Sequence, residues 1–186
     1  MVSPSGGIMA KRVLLLRGGS LGRNTGLGAA HHNLVDLLES GKVDGWQLAG
    51  ICEYPLEKTS NPISRIWQRW FAHPKRIAKE INRLVSNNQC DLVHITDQEQ
   101  GHLMPKNCPV PGIITIHDLF HLFPEHLRFS DEVIAVGDTK PGIVRRRDLQ
   151  KLKAGINRAN HLLCNSKHTL EACLLYTSPS PRDRTR

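Results

Sequence analysis

Short apolar runs recur along this chain, separated by glycine- or proline-rich loops and by stretches with helical spacing. Arg12 to Arg17 (RVLLLR) is apolar and closed by Gly18-Gly19, which predicts a buried parallel strand. Ala29 to Glu39 places Leu34, Leu37 and Leu38 on one face, which predicts a helix that Gly41 stops. Trp46 to Glu53 is a second strand, and Tyr54 to Pro62, with its two prolines, is a loop. Asp91 to Thr96 (DLVHIT) is a third strand. Ile113 to Ile116 is a fourth, running directly into His117 and Asp118. Ile143 to Ala159 reads as a helix with Arg145, Arg146 and Arg147 near its start, and Asn160 to Asn165 as a fifth strand. Ser166 then caps a helix that begins at Lys167.

Ile63 to Val85 (ISRIWQRWFAHPKRIAKEINRLV) has an apolar stripe through Ile66, Trp67, Trp70, Phe71, Ile77, Ile81 and Leu84. Pro74 is expected to break or kink it into two helical pieces. Arg65, Arg69, Lys75, Arg76, Lys79 and Arg83 are opposed there only by Glu80. A basic amphipathic helix with interfacial aromatics suits an anionic membrane surface, with Arg65, Trp67, Arg69, Trp70, Lys75 and Arg76 as the contact candidates. The same pattern also suits a helix that covers one face of a sheet and keeps a solvated basic exterior.

Strand, loop, helix, repeated with short apolar strands, predicts an open, doubly wound parallel α/β domain. Arg128 to Gly142, with Gly137 and Pro141-Gly142, is expected to be irregular. The domain is expected to run from residue 11 to 174, after a disordered stretch over 1–10. From Leu175 to Arg186 (LYTSPSPRDRTR) there is no apolar face. This end resembles translated sequencing-adapter read-through, and a disordered basic tail is the other reading.

The chain has 186 residues, 39% hydrophobic and 23% charged, as expected of one ordinary globular domain. Its five cysteines are scattered, without CxxC spacing, which argues against a disulfide framework or a zinc knuckle and for a reducing compartment. No stretch approaches the roughly 20 apolar residues of a membrane span. The net charge of +8 admits nucleic acid, anionic lipid or phosphorylated ligands. No nucleic-acid motif is recognisable, so nucleic acid is not an expected partner.

Two places carry candidate chemistry. Gly18 to Gly28 holds five of the 15 glycines and opens a helix. Backbone amides and a helix N-terminus there suit a phosphate or sugar, although the third glycine of the dinucleotide fingerprint and a Walker lysine are both missing. A surface turn would need no more than this. The second place is the carboxyl end of the fourth strand, where open α/β sheets bind their ligands and where His117 and Asp118 stand. Glu53, at the end of the second strand, suits either a ribose hydroxyl or plain exposure.

Together, the GLG turn opening a helix, DLVHIT, GIITIHDLFHLFPEH and INRANHLLCNSKHTLEAC resemble the N-terminal, acceptor-side domain of retaining GT-B glycosyltransferases, specifically glycosyltransferase family 4. The resemblance covers about Lys11 to Leu174, and NSKHTLEA matches the family's strand-Ser-helix element. It implies a Rossmann-like domain, half of a two-domain fold, and transfer of a hexosyl group from a nucleotide-sugar with retention. Gly26, Leu27 and Gly28 would lie near donor phosphates and acceptor, and His117 near the transferred sugar. Asp118 would fix the loop, and His31 and Asp97 are further cleft candidates. The implied chemistry is front-side attack without metal or other cofactor. The acceptor is expected to be a glycan or, from the basic, tryptophan-bearing stretch, a lipid-linked molecule, and the expected location is cytoplasmic, peripheral to the inner face of the membrane. The donor-binding domain with its Glu-x7-Glu motif is not found in this sequence, so the chain alone is expected to be inactive.

Two other classes fit parts of the pattern. His117 and His121, at i, i+4 with Glu125 and His126 nearby, suit a metal-dependent hydrolase, although HExxH is absent and Pro124 interrupts. The basic stretch alone suits a non-enzymatic binding module.

Overall fold

The computed structural model describes residues 10–54, 61–129 and 132–177. Five strands form one parallel sheet: β1 (Lys11–Gly19), β2 (Trp46–Tyr54), β3 (Leu92–Ile95), β4 (Gly112–Ile116) and, after a separate hairpin, β7 (His161–Cys164). Their order across the sheet is β2-β1-β3-β4-β7. Counting parallel strands only, this is 2-1-3-4-5, with its switch point between β1 and β3. The doubly wound, Rossmann-like α/β class expected from the sequence is therefore observed.

Alternation along β1 feeds two cores, because successive side chains leave a strand on opposite faces. Leu14 and Leu16 join Val93, Ile95, Ile114 and Ile116 under the helices α3 (His73–Ser86) and α4 (Ile143–Ile156), which contribute Ile77, Ile81, Leu84, Leu152 and Ile156. Val13 and Leu15 face Val35 and Leu38 of α1 (Gly26–Glu39). The buried line of α1 runs through Gly28, His31, Val35 and Leu38, and Leu34 packs only partly against it.

Three expectations are corrected. Pro74 does not split its helix. A short α2 (Pro62–Trp67) leads through a π turn (Gln68–Ala72) directly into α3, and Pro74 sits in the first turn of α3. The wider π winding leaves room for a ring that would otherwise clash one turn back. Arg128 to Gly142 is not irregular throughout, because β5 (Glu125–Phe129) and β6 (Glu132–Val136) pair as an antiparallel ribbon. The last helix, α5 (Lys167–Thr177), runs on past Leu174. Residues 178–186, the rest of the adapter-like segment, lie outside the described residues, as do 1–9 of the N-terminal stretch.

Gly155 lets α4 approach the 3-10 helix Gln98–Leu103. A Cβ there would overlap the carbonyl oxygen of Gly101.

Candidate functional site

Every parallel strand delivers its carboxyl end to the same edge, and most of the candidate residues lie along it. After β1 the loop is held in three ways. Thr25 caps α1 by accepting from the Gly28 amide at 3.0 Å, and its hydroxyl donates to the Gly22 carbonyl at 3.3 Å. His32 Nε2 donates to the Leu21 carbonyl at 2.9 Å. Gly28 must be glycine, because a Cβ would overlap the Gly22 carbonyl oxygen. Gly26 has open space around the corresponding position. The first amides of α1, at Gly26 and Leu27, therefore stand at a helix N-terminus with its partial positive charge.

His31 is buried beneath this loop. Its Nδ1 lies 3.1 Å from Thr96 Oγ1, which ties α1 to the end of β3 across the switch point. Burial first, and then Arg17, push its pKa down to about 4, so the ring is neutral near pH 7. Arg17, at the end of β1, is only 2% exposed, and its Nε and Nη1 have no hydrogen-bond partner among the described residues. Burial lowers its pKa, against the pull of the Asp97 and Glu53 carboxylates. An Arg at the end of an otherwise apolar strand is the signal that could have marked it in the sequence.

Asp97 is buried and committed to structure. Its carboxylate accepts from the Glu99 amide at 2.9 Å and caps the 3-10 helix. Burial pushes its pKa up.

His117 is held at two points. Its amide donates to Gln98 Oε1 at 2.9 Å, and its ring Nε2 lies 3.1 Å from the Thr96 carbonyl oxygen. A carbonyl only accepts, so Nε2 carries the proton and a neutral ring presents Nδ1 as an acceptor. Asp118 accepts from the Phe120 amide at 3.2 Å and shapes the turn. Thr169 on α5 adds a third support, with its hydroxyl 3.2 Å from the His117 carbonyl oxygen. A cavity of about 190 Å³ opens here, lined by His117, Asp118, Glu125, Asn165, Ser166 and His168 among others. Thr96, Gln98 and Thr169 are supports that sequence reasoning missed. Gln98 and Thr96 do flank Asp97, but nothing local shows that they reach another strand.

The six basic and aromatic candidates of the 65–76 stretch divide. Arg69 and Trp70 turn inward onto Asp148 of α4, at 2.8 and 2.9 Å. Arg145 meets the same carboxylate at 2.9 Å and also Glu99 and Asp138. Burial alone would raise the Asp148 pKa, but the Arg69 hydrogen bond and charge hold it at about 2. Arg76 donates to the Glu53 carbonyl at 2.8 Å. Trp67 is 62% exposed, and Arg65 and Lys75 are exposed as well.

His121 lies beside Asp138, at 3.3 Å, while His117 is bound to the Thr96 carbonyl. Among the described residues, no three His, Cys, Asp or Glu side chains gather where a metal ion could be held. Among them also, no helix is long and apolar enough to cross a membrane.

No protein-family model and no curated protein matches the chain. Among solved structures it is similar to a UDP-glucosyltransferase from Polygonum tinctorium capable of glucosylating indoxyl, solved in complex with 3,4-dichloroaniline. The TM-score is 0.51 at 13% identity, over 91% of this chain and 50% of that one. The chain thus spans about half the length of that enzyme, and at this identity the likeness is one of fold alone: a doubly wound parallel α/β sheet.

Proposed function

We propose that the chain is the acceptor-side half of a retaining GT-B glycosyltransferase of the family 4 type. It moves a hexosyl group from a nucleotide-sugar to a glycan or lipid-linked acceptor. The observation that carries this reading is His117 with its three supports, at the carboxyl end of β4 beside a cavity. A ring fixed by Nε2–H leaves Nδ1 free to accept from a sugar hydroxyl and so to orient the reacting sugar. The buried Arg17 and the N-terminus of α1 both place positive potential at the strand ends, where a leaving diphosphate develops charge. Asp118 acts by shaping the turn, and His31 and Asp97 by holding the crevice. Front-side attack assisted by the diphosphate itself needs no metal.

Exposed Ile63, Trp67 and Phe71, on the same helical arm as the exposed Arg65 and Lys75, support a further part of the reading. This surface rests on an anionic membrane on the cytoplasmic side, near a lipid-linked acceptor.

The test has two parts. Sequencing the source gene across codon 174 should show the frame continuing into a second α/β domain with a Glu-x7-Glu pattern. A frame that ends in SPSPRDRTR would overturn the two-domain reading. In the complete enzyme, His117→Ala should lower sugar transfer by about a hundredfold. Unchanged turnover would remove His117 from the site.

A further inference from the structure

A groove of about 550 Å³ runs between the π turn with the start of α3 on one side and α4 on the other, floored by the chain from His102 to Lys106. Its lining takes no residue from the glycine loop, from the His117–Asp118 turn or from the start of α5. It is a second concavity, separate from the strand ends.

Its charge is one-sided. Lys106, Arg147, Lys151 and Arg158 all line it, and among the described residues no carboxylate does. None of the four has an ion-pair partner among the described residues. The nearest acid on α4, Asp148, is already taken by Arg69, Arg145 and the Trp70 indole. His102 adds no charge near neutral pH, because burial first and then Arg69 push its pKa down to about 3.

Two of the cations are held in place. The Lys151 ammonium sits 5.4 Å from the Trp70 ring centre and 5.5 Å from that of Phe71. Arg158 Nη1 donates to the Met104 carbonyl at 3.2 Å. Cation–π contact and a main-chain anchor reduce the rotamer entropy that a bound anion would otherwise have to remove. Both aromatic residues belong to the π turn, a distortion often found at functional sites.

Four like charges facing one concavity repel each other unless an anion joins them. A singly charged ligand would leave most of that repulsion in place, and a groove of this size holds a small molecule. We propose that this groove binds a multiply phosphorylated small molecule or head group, recognised by Lys106, Arg147, Lys151 and Arg158. Charge-assisted hydrogen bonds from the two arginines fit phosphate oxygens in pairs, and the lysines act as point charges.

The test is calorimetric titration of the full 186-residue chain with pyrophosphate and with inositol hexakisphosphate, at low and moderate salt. Saturable binding is expected, tighter for the more highly charged probe and weakened by salt. Arg147→Glu combined with Lys151→Glu should weaken it at least tenfold. Lys167→Glu, on exposed α5, controls for net charge and should leave it nearly unchanged. Circular dichroism checks that each variant is folded. Sedimentation with vesicles of phosphatidylcholine containing a phosphoinositide bisphosphate, against vesicles containing phosphatidylserine, separates a lipid head group from a free ligand as the source. Preference for the phosphoinositide that is lost in the double variant assigns the lipid, and binding of soluble probes alone assigns the free compound. No saturable binding of any probe, or equal weakening by Lys167→Glu, would overturn the proposal. None of these outcomes bears on sugar transfer at the strand ends.

Discussion

The Thr169 hydroxyl lies 3.2 Å from the main-chain carbonyl of His117, and the two residues are 52 positions apart in the chain. The same hydroxyl meets Ser166 Oγ at 2.9 Å, and Ser166 Oγ accepts from the Thr169 amide at 3.1 Å. A helix cap at the end of β7 and the turn after β4 are thereby one hydrogen-bonded unit. Thr169→Val keeps the shape and removes the donor, leaving a part-buried carbonyl with less satisfaction. It should cost about 1–3 kcal/mol in urea denaturation. Thr169→Ser should recover most of that loss, and equal loss in both variants would show that the methyl, not the hydroxyl, matters.

Arg17 holds a guanidinium in the interior with two nitrogens unpartnered among the described residues. Stability alone does not favour such a residue. A buried charge whose donors lack hydrogen-bond partners costs more than an apolar side chain of similar length in its place. Arg17→Met is therefore expected to raise the thermal midpoint while weakening any anion at the strand ends. A lowered midpoint would mean that Arg17 is a structural keystone instead.

The glycine loop makes a sharp contrast testable. Gly26→Ala meets open space in the first turn of α1, and by helix propensity it should be neutral or stabilise by up to about 1 kcal/mol. Gly28→Ala drives a methyl into the Gly22 carbonyl and should unseat the Thr25 cap. Losses of about 2 kcal/mol or more are expected there, read from thermal melts of the two variants side by side.

Acid should destabilise the chain in two stages. His31 and His94 are depressed from 6.5 to about 4, and His102 to about 3, with burial the leading cause for each. Below pH 6.5 the unfolded chain takes up protons that the folded chain does not, so stability falls from about 6.5 down towards 4. Asp148, lowered from 3.8 to about 2, adds a second loss as pH falls from about 4 to 2. Urea midpoints at pH 7.5, 6 and 5 should decline in order, and a flat series would refute the neutral-histidine account.

Asp148 gathers Arg69, Arg145 and the Trp70 indole in a largely buried place. Asp148→Ala takes their shared carboxylate from all three donors, although Arg145 keeps Glu99 and Asp138 and Arg69 keeps the Glu99 carbonyl, and it should cost about 3–5 kcal/mol. Tryptophan emission should shift to the red as Trp70 loosens. An unshifted spectrum with an unchanged midpoint would show that the network contributes little.

The parallel sheet was legible because each of its strands is an apolar run bounded by glycine, aspartate or asparagine, as in RVLLLRGG and DLVHIT. The β5–β6 ribbon was not. Most of β6 is exposed, so it carries no burial period to read. The π turn was hidden for another reason: helical spacing on either side of Pro74 predicts a break, and only the Asp148 contacts show how the winding is absorbed. Of the strand-end residues, His117 and Asp118 were legible from their place after an apolar run. Their supports, Thr96, Gln98 and Thr169, were not, because each acts across strands and not along them.

The π turn at Gln68–Ala72 is, in effect, an insertion that a helix has swallowed whole. Each residue advances an α-helix by about 100°, so one surplus residue rephases everything on one side of it against the other. The arm beyond it keeps Ile77, Ile81 and Leu84 on the sheet, while the turn itself keeps Arg69 and Trp70 on Asp148. Excising a single residue from 68–72 would leave a more regular helix with its two recognition tasks out of step. The irregularity is what allows one continuous rod to serve two neighbours at once.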